Sequence, residues 1–524
     1  MIKNFKWLLL VSLTFAACNS DDDESLVAAD VPVVAGSADF SKYVALGNSL
    51  TAGFSDNALF IKGQQGSYTN ILAQQFAVVG GGEFKIPLMN DNIGGLLFGG
   101  AANPRFGPRL TFNGVGPVPV SGTPTTDVIL GHLTGPFNNM GVPGAKSFHL
   151  LAPGYGNPAG LAASPATANP YFVRFASSNG TSVLADAMAQ SPTFFSLWIG
   201  NNDVLGYATA GGVTTAQDPV NGGDITPPTG APGVGFDGTY AALVTTLTSN
   251  GAKGVVANIP YVNTVPFFTT VPVNPLTSKV LGSGNVAVGE ATIDQLNSLL
   301  YGPLKQALTA FGAGDRLELL SKTGGNPLLI KDESLTDLSA QLTAAFTPSL
   351  GAPTAAFYGQ VFGQARQAKK TADPATTDFI LLTTQSVIGT APAGIPAPLN
   401  KFGITYPLQD KHVLVPSEIL ELKTATDSYN VTIKGLADQK GLAFVDANAV
   451  LSQVFNGGIR FGNYQLTSAF VTGGAFSLDG VHPSPRGYAL IANKFMEAIN
   501  AKYGSTFRPV DLGLYPIQYP AILN

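Results

Sequence analysis

Four short apolar runs, each stopping at a turn or polar residue, constrain this chain more than any other feature. Lys42-Tyr-Val-Ala-Leu46 stops at Gly47-Asn48-Ser49, and Thr193-Phe-Phe-Ser-Leu-Trp-Ile199 stops at Gly200-Asn201-Asn202-Asp203. Gly254-Val-Val-Ala-Asn-Ile259 ends at Pro260, and Leu442-Ala-Phe-Val445 ends at Asp446. Apolarity that is continuous rather than alternating suits strands buried on both faces, as in a parallel sheet. Helical periodicity at Tyr68–Phe76, Tyr240–Ser249, Ile419–Gln439 and Tyr488–Tyr503 lies between or after these runs. The alternation predicts a doubly wound α/β domain, in which chemistry collects at the carboxyl ends of the strands.

Composition allows the large interior that such a domain needs. Of 524 residues, 45% are hydrophobic and only 12% charged, which excludes a charge-rich disordered chain. The 61 glycines and 37 prolines imply many turns and long connections. Two stretches depart from the minimal α/β pattern. Residues 78–135 are rich in Gly and Pro; residues 262–410 carry an expected helix at Ala291–Phe311 and a second helical pattern near Leu335–Phe346. Both read as insertions into one domain spanning 41–510, because its final motif lies beyond both. Insertions of this size commonly form a lid, a substrate wall or a partner surface. Residues 511–524 read as a C-terminal tail. A formal charge of −5 offers no basic surplus for phosphates, so nucleic acid is not an expected partner.

The N-terminus reads as an address. Lys3 and Lys6 precede an apolar run from Trp7 to Ala16, and small residues Ala16 and Ala17 precede Cys18. That run is far short of the ~20 apolar residues needed to span a bilayer, so residues 1–17 read as an export signal. Leu13-Thr-Phe-Ala-Ala-Cys18 looks like a bacterial lipobox, in which the cysteine is acylated. Cys18 is the only cysteine in the chain, so an exported form has no disulfide framework to compete for it. Residues 18–40 read as a tether and linker that begins with the acidic run Asn19-Ser-Asp-Asp-Asp-Glu24. This run resembles the acidic signal by which some Gram-negative bacteria place lipoproteins on the outer face of the outer membrane. The expectation is an exported lipoprotein, held to the membrane by its lipid and exposed at the cell surface.

Four sequence islands offer the parts of acyl transfer: a nucleophile, a base oriented by a third group, and donors for the oxyanion. In Val44-Ala-Leu-Gly47-Asn-Ser49-Leu-Thr-Ala-Gly53 an apolar strand delivers Ser49 to a tight turn before a helix. Thr51 rules out the G-x-S-x-G elbow, and such a serine can equally serve as a helix N-cap. Asn139-Met-Gly141-Val-Pro-Gly144-Ala-Lys-Ser147 offers the backbone N–H of Gly144, or merely a Gly/Pro turn. Trp198-Ile-Gly200-Asn201-Asn202-Asp203 brings the Asn202 carboxamide to the same edge, as an oxyanion donor or as a cap. In Asp479-Gly-Val-His482-Pro-Ser-Pro-Arg486-Gly-Tyr488 the three-residue spacing lets Asp479 accept from Nδ1 of His482 while Nε2 faces Ser49. His132, His149 and His412 lack an acid at that spacing and read as structural or peripheral.

Taken in order, these islands resemble blocks I, II, III and V of the SGNH/GDSL hydrolases. The family's nucleophile matches Ser49, its block II glycine Gly144, its block III asparagine Asn202, and its D-x-x-H pair Asp479 and His482. The resemblance spans residues 42–503 and implies a three-layer α/β/α flavodoxin-like fold with a parallel sheet. It also implies ester hydrolysis without a metal or other cofactor, the oxyanion being held by the N–H groups of Ser49 and Gly144 and the side chain of Asn202. One position departs: the family has aspartate before the serine, and this chain has Asn48. The implied substrate is an ester, either an acylated glycan or a lipid or short-chain acyl ester. The competing expectation is a catalytically weak or inactive binding lipoprotein on the same scaffold. An outer-membrane β-barrel does not fit, since it needs repeated alternating strands where this chain has long helical patterns.

Overall fold

All four apolar runs become strands of one sheet, and a fifth strand joins them. In chain order they are β1 (Tyr43–Gly47), β2 (Asn139–Gly141), β3 (Phe194–Trp198), β4 (Lys253–Ala257) and β5 (Ala443–Val445). They pair in the order β5-β4-β3-β1-β2, every pair parallel. The structure is a computed structural model describing residues 32–213 and 223–523; the export signal, Cys18 and the acidic run lie outside the described residues.

The helices that build the layers are α1 (Ser49–Ala52), α2 (Tyr68–Ala77), α3 (Asn202–Thr209), α4 (Phe236–Leu247), α5 (Pro416–Lys440), α6 (Ala447–Phe455) and α7 (Pro485–Tyr503). Because side chains alternate across a strand, β1 feeds two cores. Val44 and Leu46, with Phe195, Leu197 and Val256, pack against Tyr240 and Leu243 of α4 and Leu422 and Tyr429 of α5. Tyr43 and Ala45, with Phe194 and Trp198, pack against Leu72 and Phe76 of α2 and Phe495 and Ile499 of α7. The protein is therefore an α/β structure whose parallel sheet carries helices on both faces. Local chemistry sets the helix ends. Helix α5 starts at Pro416, where the missing N–H costs nothing, and stops at Gly441 with φ 65°. Helix α7 is capped by Ser484 Oγ accepting from Gly487 N at 2.9 Å and stops at the left-handed Gly504. Among the described residues no helix is long and apolar enough to cross a membrane.

Strand β2 is a departure from expectation, since Asn139-Met-Gly141 has no strand pattern of its own. Its pairing with β1 creates it, in the register Ala45 to Asn139 and Gly47 to Gly141. A Cβ at Gly141 would lie 2.3 Å from Ala52 N, so only glycine lets this edge approach α1. The sheet order matters for function. The chain leaves β1 for β2 on one side and returns to β3 on the other, and a crevice opens above such a reversal at the carboxyl ends.

Both insertions are built structures. Within 262–410, helices Val286–Leu296 and Gly302–Ala310 flank a π turn at Asn297–Tyr301. Helices Ser339–Leu350 and Ala352–Phe362 add a hairpin, and Leu304, Leu342 and Phe362 share a separate core. The second of these helices was not expected, because its Ala- and Gly-rich sequence carries little apolar periodicity; Gly359 packs close to the preceding helix. Arg366 lies buried here, its Nε 2.6 Å from Asp332 Oδ2 and its Nη atoms 2.5 and 2.7 Å from the Asp378 carboxylate. Two stretches expected as free segments are packed instead. Phe40, in the expected linker, is buried against Phe76 and Phe507. In the expected tail, the carbonyls of Pro520 and Ala521 accept from Arg109 Nη2 at 2.7 and 3.0 Å.

Replacing Asp378 with Ala strands the buried Arg366 guanidinium without its two-pronged partner. The unfolding free energy from a urea titration should fall by about 3–5 kcal/mol. A fall of under ~1 kcal/mol would mean that this ion pair does not hold the insertion together.

Candidate active site

Strand β1 delivers Gly47, Asn48 and Ser49 to the crevice. Gly47 is required: a Cβ there would lie 2.2 Å from Thr51 Oγ1 and 2.4 Å from the Trp198 carbonyl. The helix cap is Asn48, not Ser49. Its Oδ1 accepts from Leu50 N at 3.0 Å and its Nδ2 donates to Asn201 Oδ1 at 3.2 Å. Ser49, the first residue of α1, thus keeps its hydroxyl out of capping. An aspartate at position 48 would preserve the cap but lose the donor to Asn201.

His482 reaches Ser49 from the loop before α7. Its Nε2 stands 2.9 Å from Ser49 Oγ, and its Nδ1 stands 2.9 Å from Asp479 Oδ2. A proton on Nδ1 shared with Asp479 leaves the Nε2 lone pair facing the serine hydroxyl. The turn is closed by Ser477 N donating to the His482 carbonyl at 2.8 Å, and Gly480 adopts the left-handed φ of 74° that the bend needs. Asp479 Oδ1 accepts from Val481 N and His482 N, both at 2.8 Å, and Oδ2 accepts from Asn57 N at 2.9 Å. Burial alone pushes this carboxyl up, but the adjacent imidazole and these N–H donors outweigh burial and hold it down at about 2.

Strand β2 leads to Gly144, whose φ of 82° suits glycine. Among the described residues, the backbone N–H groups of Ser49 and Gly144 have no acceptor. Asn202 opens α3 and spends one amide hydrogen on the Ala145 carbonyl at 3.0 Å, which leaves the other. Behind it, buried Asp203 accepts from Ser147 N at 2.8 Å and Ser147 Oγ at 2.6 Å, tying the segment after β2 to the first turn of α3. Ser49, Gly144, Asn202, Asp479 and His482 all line one cavity.

The remaining histidines lie elsewhere. His132 Nδ1 is 3.1 Å from the Val173 carbonyl, His149 stacks on Tyr155, and His412 Nδ1 accepts from Gln409 N at 3.1 Å. Sequence reasoning missed Asp56 and Asn57, both in left-handed conformation at φ 50° and 65°. The only local signal was an Asp-Asn pair, the non-glycine residues that best tolerate that region. Asp56 Oδ1 accepts from Leu478 N at 3.0 Å, while its Oδ2 is buried with no partner. Burial pushes this carboxyl up to about 7, with the nearby Asp479 charge adding to the rise and the Leu478 N–H, Arg109 and His482 opposing it. Ser147 and Asp203 stood within the islands without an assigned role.

Among the described residues no group of three or more His, Cys, Asp or Glu side chains is placed to hold a metal ion. No family model, no curated protein and no solved structure matches this chain.

The two carboxyls give opposite pH dependences. Asp479, held low, contributes stability that is present above pH ~4 and lost as pH falls toward 2. Asp56 keeps its proton in the folded state up to about pH 7 while the unfolded chain loses it near pH ~4, so stability drains away as pH rises between those values. Asp56→Asn mimics the protonated form. The Tm of the variant minus that of the wild type should therefore grow from pH 4 to pH 7 and then level off. A difference that stays flat across this window would show that Asp56 does not titrate there.

Proposed function

We propose that this protein is a serine hydrolase of carboxylic esters of the SGNH/GDSL type. The observation that carries this reading is the continuous line Ser49 Oγ, His482 Nε2, His482 Nδ1, Asp479 Oδ2, with both intervals 2.9 Å. The parallel sheet with helices on both faces supports the finer assignment to the three-layer flavodoxin-like fold of that family. Asn48 departs from the family's aspartate, but its carboxamide still caps the serine turn.

Catalysis runs in two steps. Ser49 Oγ attacks the ester carbonyl carbon as its proton passes to His482 Nε2, and the C=O becomes a tetrahedral oxyanion. The N–H groups of Ser49 and Gly144 and the second amide hydrogen of Asn202, all from residues lining the same cavity, receive that charge. Collapse breaks the C–O bond to the alcohol, which leaves with the proton from His482, and an acyl-serine remains. Water then attacks the acyl carbon while His482 takes its proton; the proton returns to Ser49 Oγ as the acid departs. Asp479 stays ionised throughout and stabilises the imidazolium. The chain's own groups supply every step, so the reaction draws on no cofactor. The ester substrate is met by an exported lipoprotein, acylated on Cys18 and displayed at the outer membrane.

Ser49→Ala should abolish both ester hydrolysis and labelling by a fluorophosphonate probe while leaving the thermal melt unchanged. Undiminished turnover in that variant would remove Ser49 as the nucleophile. Asp479→Asn should lower kcat by about 10⁴ and Asn202→Ala by about 10² to 10³. Equal, small effects from both would mean that neither acts on the reacting atoms.

A further inference from the structure

Ser49 sits where two different spaces meet. Both spaces share Ser49, Asn202, Leu205, Val481 and His482. One is a groove, open to solvent, between the carboxyl edge of the sheet and helices α6 and α7. Its walls are Trp198, Val450, Leu451, Val454, Leu490 and Ile491. Along α7 it runs from Gly487 to Phe495, about 12 Å at 1.5 Å per residue. Its far end lies at Lys494, which pairs with Glu497 at 2.8 Å on the surface. The other space is lined by Asn57, Arg105, Tyr171, Thr209 and Asp479, with Gly144 at its base.

Resting on Ser49 as nucleophile, we propose that the groove holds the acyl chain of a medium- to long-chain ester and that the polar space holds its alcohol. The substrate class is then a fatty-acyl ester of a polar alcohol, not an acetyl ester of a glycan. Two physical arguments set this direction. An acetyl group would leave the half-buried Leu451 and Ile491, which flank the buried Val454 and Leu490, facing water, whereas each methylene placed against them gains burial. Second, deacylation needs water beside His482 after the alcohol has gone. The space that empties must be the wet one, and that is the polar side, where Asp479 and Asn57 lie. The acyl chain stays in the apolar groove while water enters from the polar side.

The test measures kcat/KM for p-nitrophenyl acetate, butyrate and octanoate, and for ethyl and octyl acetate, with active Ser49 counted by fluorophosphonate labelling. The expected result is a rise of about fourfold per acyl methylene, with no comparable rise along the alcohol series. Leu451→Trp, and independently Ile491→Trp, should each cut the octanoate-to-acetate ratio at least tenfold per labelled site. A labelled, active enzyme that prefers acetate overturns the acyl groove and leaves the esterase reading standing. So does a rise that follows the alcohol chain, or a ratio that neither tryptophan moves. Loss of both labelling and hydrolysis in the wild type instead removes the nucleophile itself, and the groove proposal with it.

Discussion

A 2.9 Å hydrogen bond between Ser49 Oγ and His482 Nε2 joins residues 433 positions apart, and the rest of the molecule can be understood as what keeps that distance. Bringing such distant segments together costs chain entropy, so neither end can be left to a mobile loop. Ser49 is fixed by β1, which is paired on both sides and buried on both faces. His482 is fixed by α7, whose buried residues pack on the same sheet. Short stitches then close the remaining gap. Ser55 Oγ donates to the Pro483 carbonyl at 3.1 Å, Asp56 N donates to Ser477 Oγ at 3.0 Å, and Tyr488 Oη donates to the Phe54 carbonyl at 2.7 Å. The Phe54 ring lies against the imidazole, 4.6 Å between centroids.

Two buried carboxyls stand beside that hydrogen bond and are pushed in opposite directions. Asp479 faces an imidazole and accepts from three backbone N–H groups, and these outweigh its burial. Asp56 has one such donor and an oxygen with none, so burial prevails. The outcome separates their roles: a carboxylate held ionised beside the histidine, and a neighbour pushed up to about 7 that joins the loops.

The insertions give the site its shape rather than its chemistry. Arg105 and Phe106 of the first insertion wall the polar space. Val262 and Val265, at the start of the second, line the apolar groove. Phe267 N donates to the Gly480 carbonyl at 2.9 Å, so the second insertion also braces the loop carrying Asp479 and His482. Its own core and the buried Arg366 ion pairs make that brace a packed body.

Much of this was legible in the chain. The four apolar runs are strands because continuous apolarity demands burial on two faces. Helices α5 and α7 begin and end at proline, serine and glycine, whose effects on the backbone are local. Ser49 and Asn202 could be singled out because each follows a legible strand, and Asp479 and His482 because of their three-residue spacing just before a helix; Gly144 stood out only as a glycine in a Gly/Pro turn. What the sequence could not contain was anything set by a neighbour far along the chain. Strand β2 exists because β1 lies beside it. The amide hydrogen of Asn48 is used because Asn201, at the end of another strand, lies within reach to accept it. The Asp56 carboxyl is pushed up because folding buries it, and its opposing donor, Leu478 N, comes from 422 positions away. The division of the crevice into an apolar groove and a more polar space depends on side chains from segments far apart in the chain. Local periodicity determines elements and their ends; burial, ionisation and cavity shape are properties of the surroundings, and only packing supplies those.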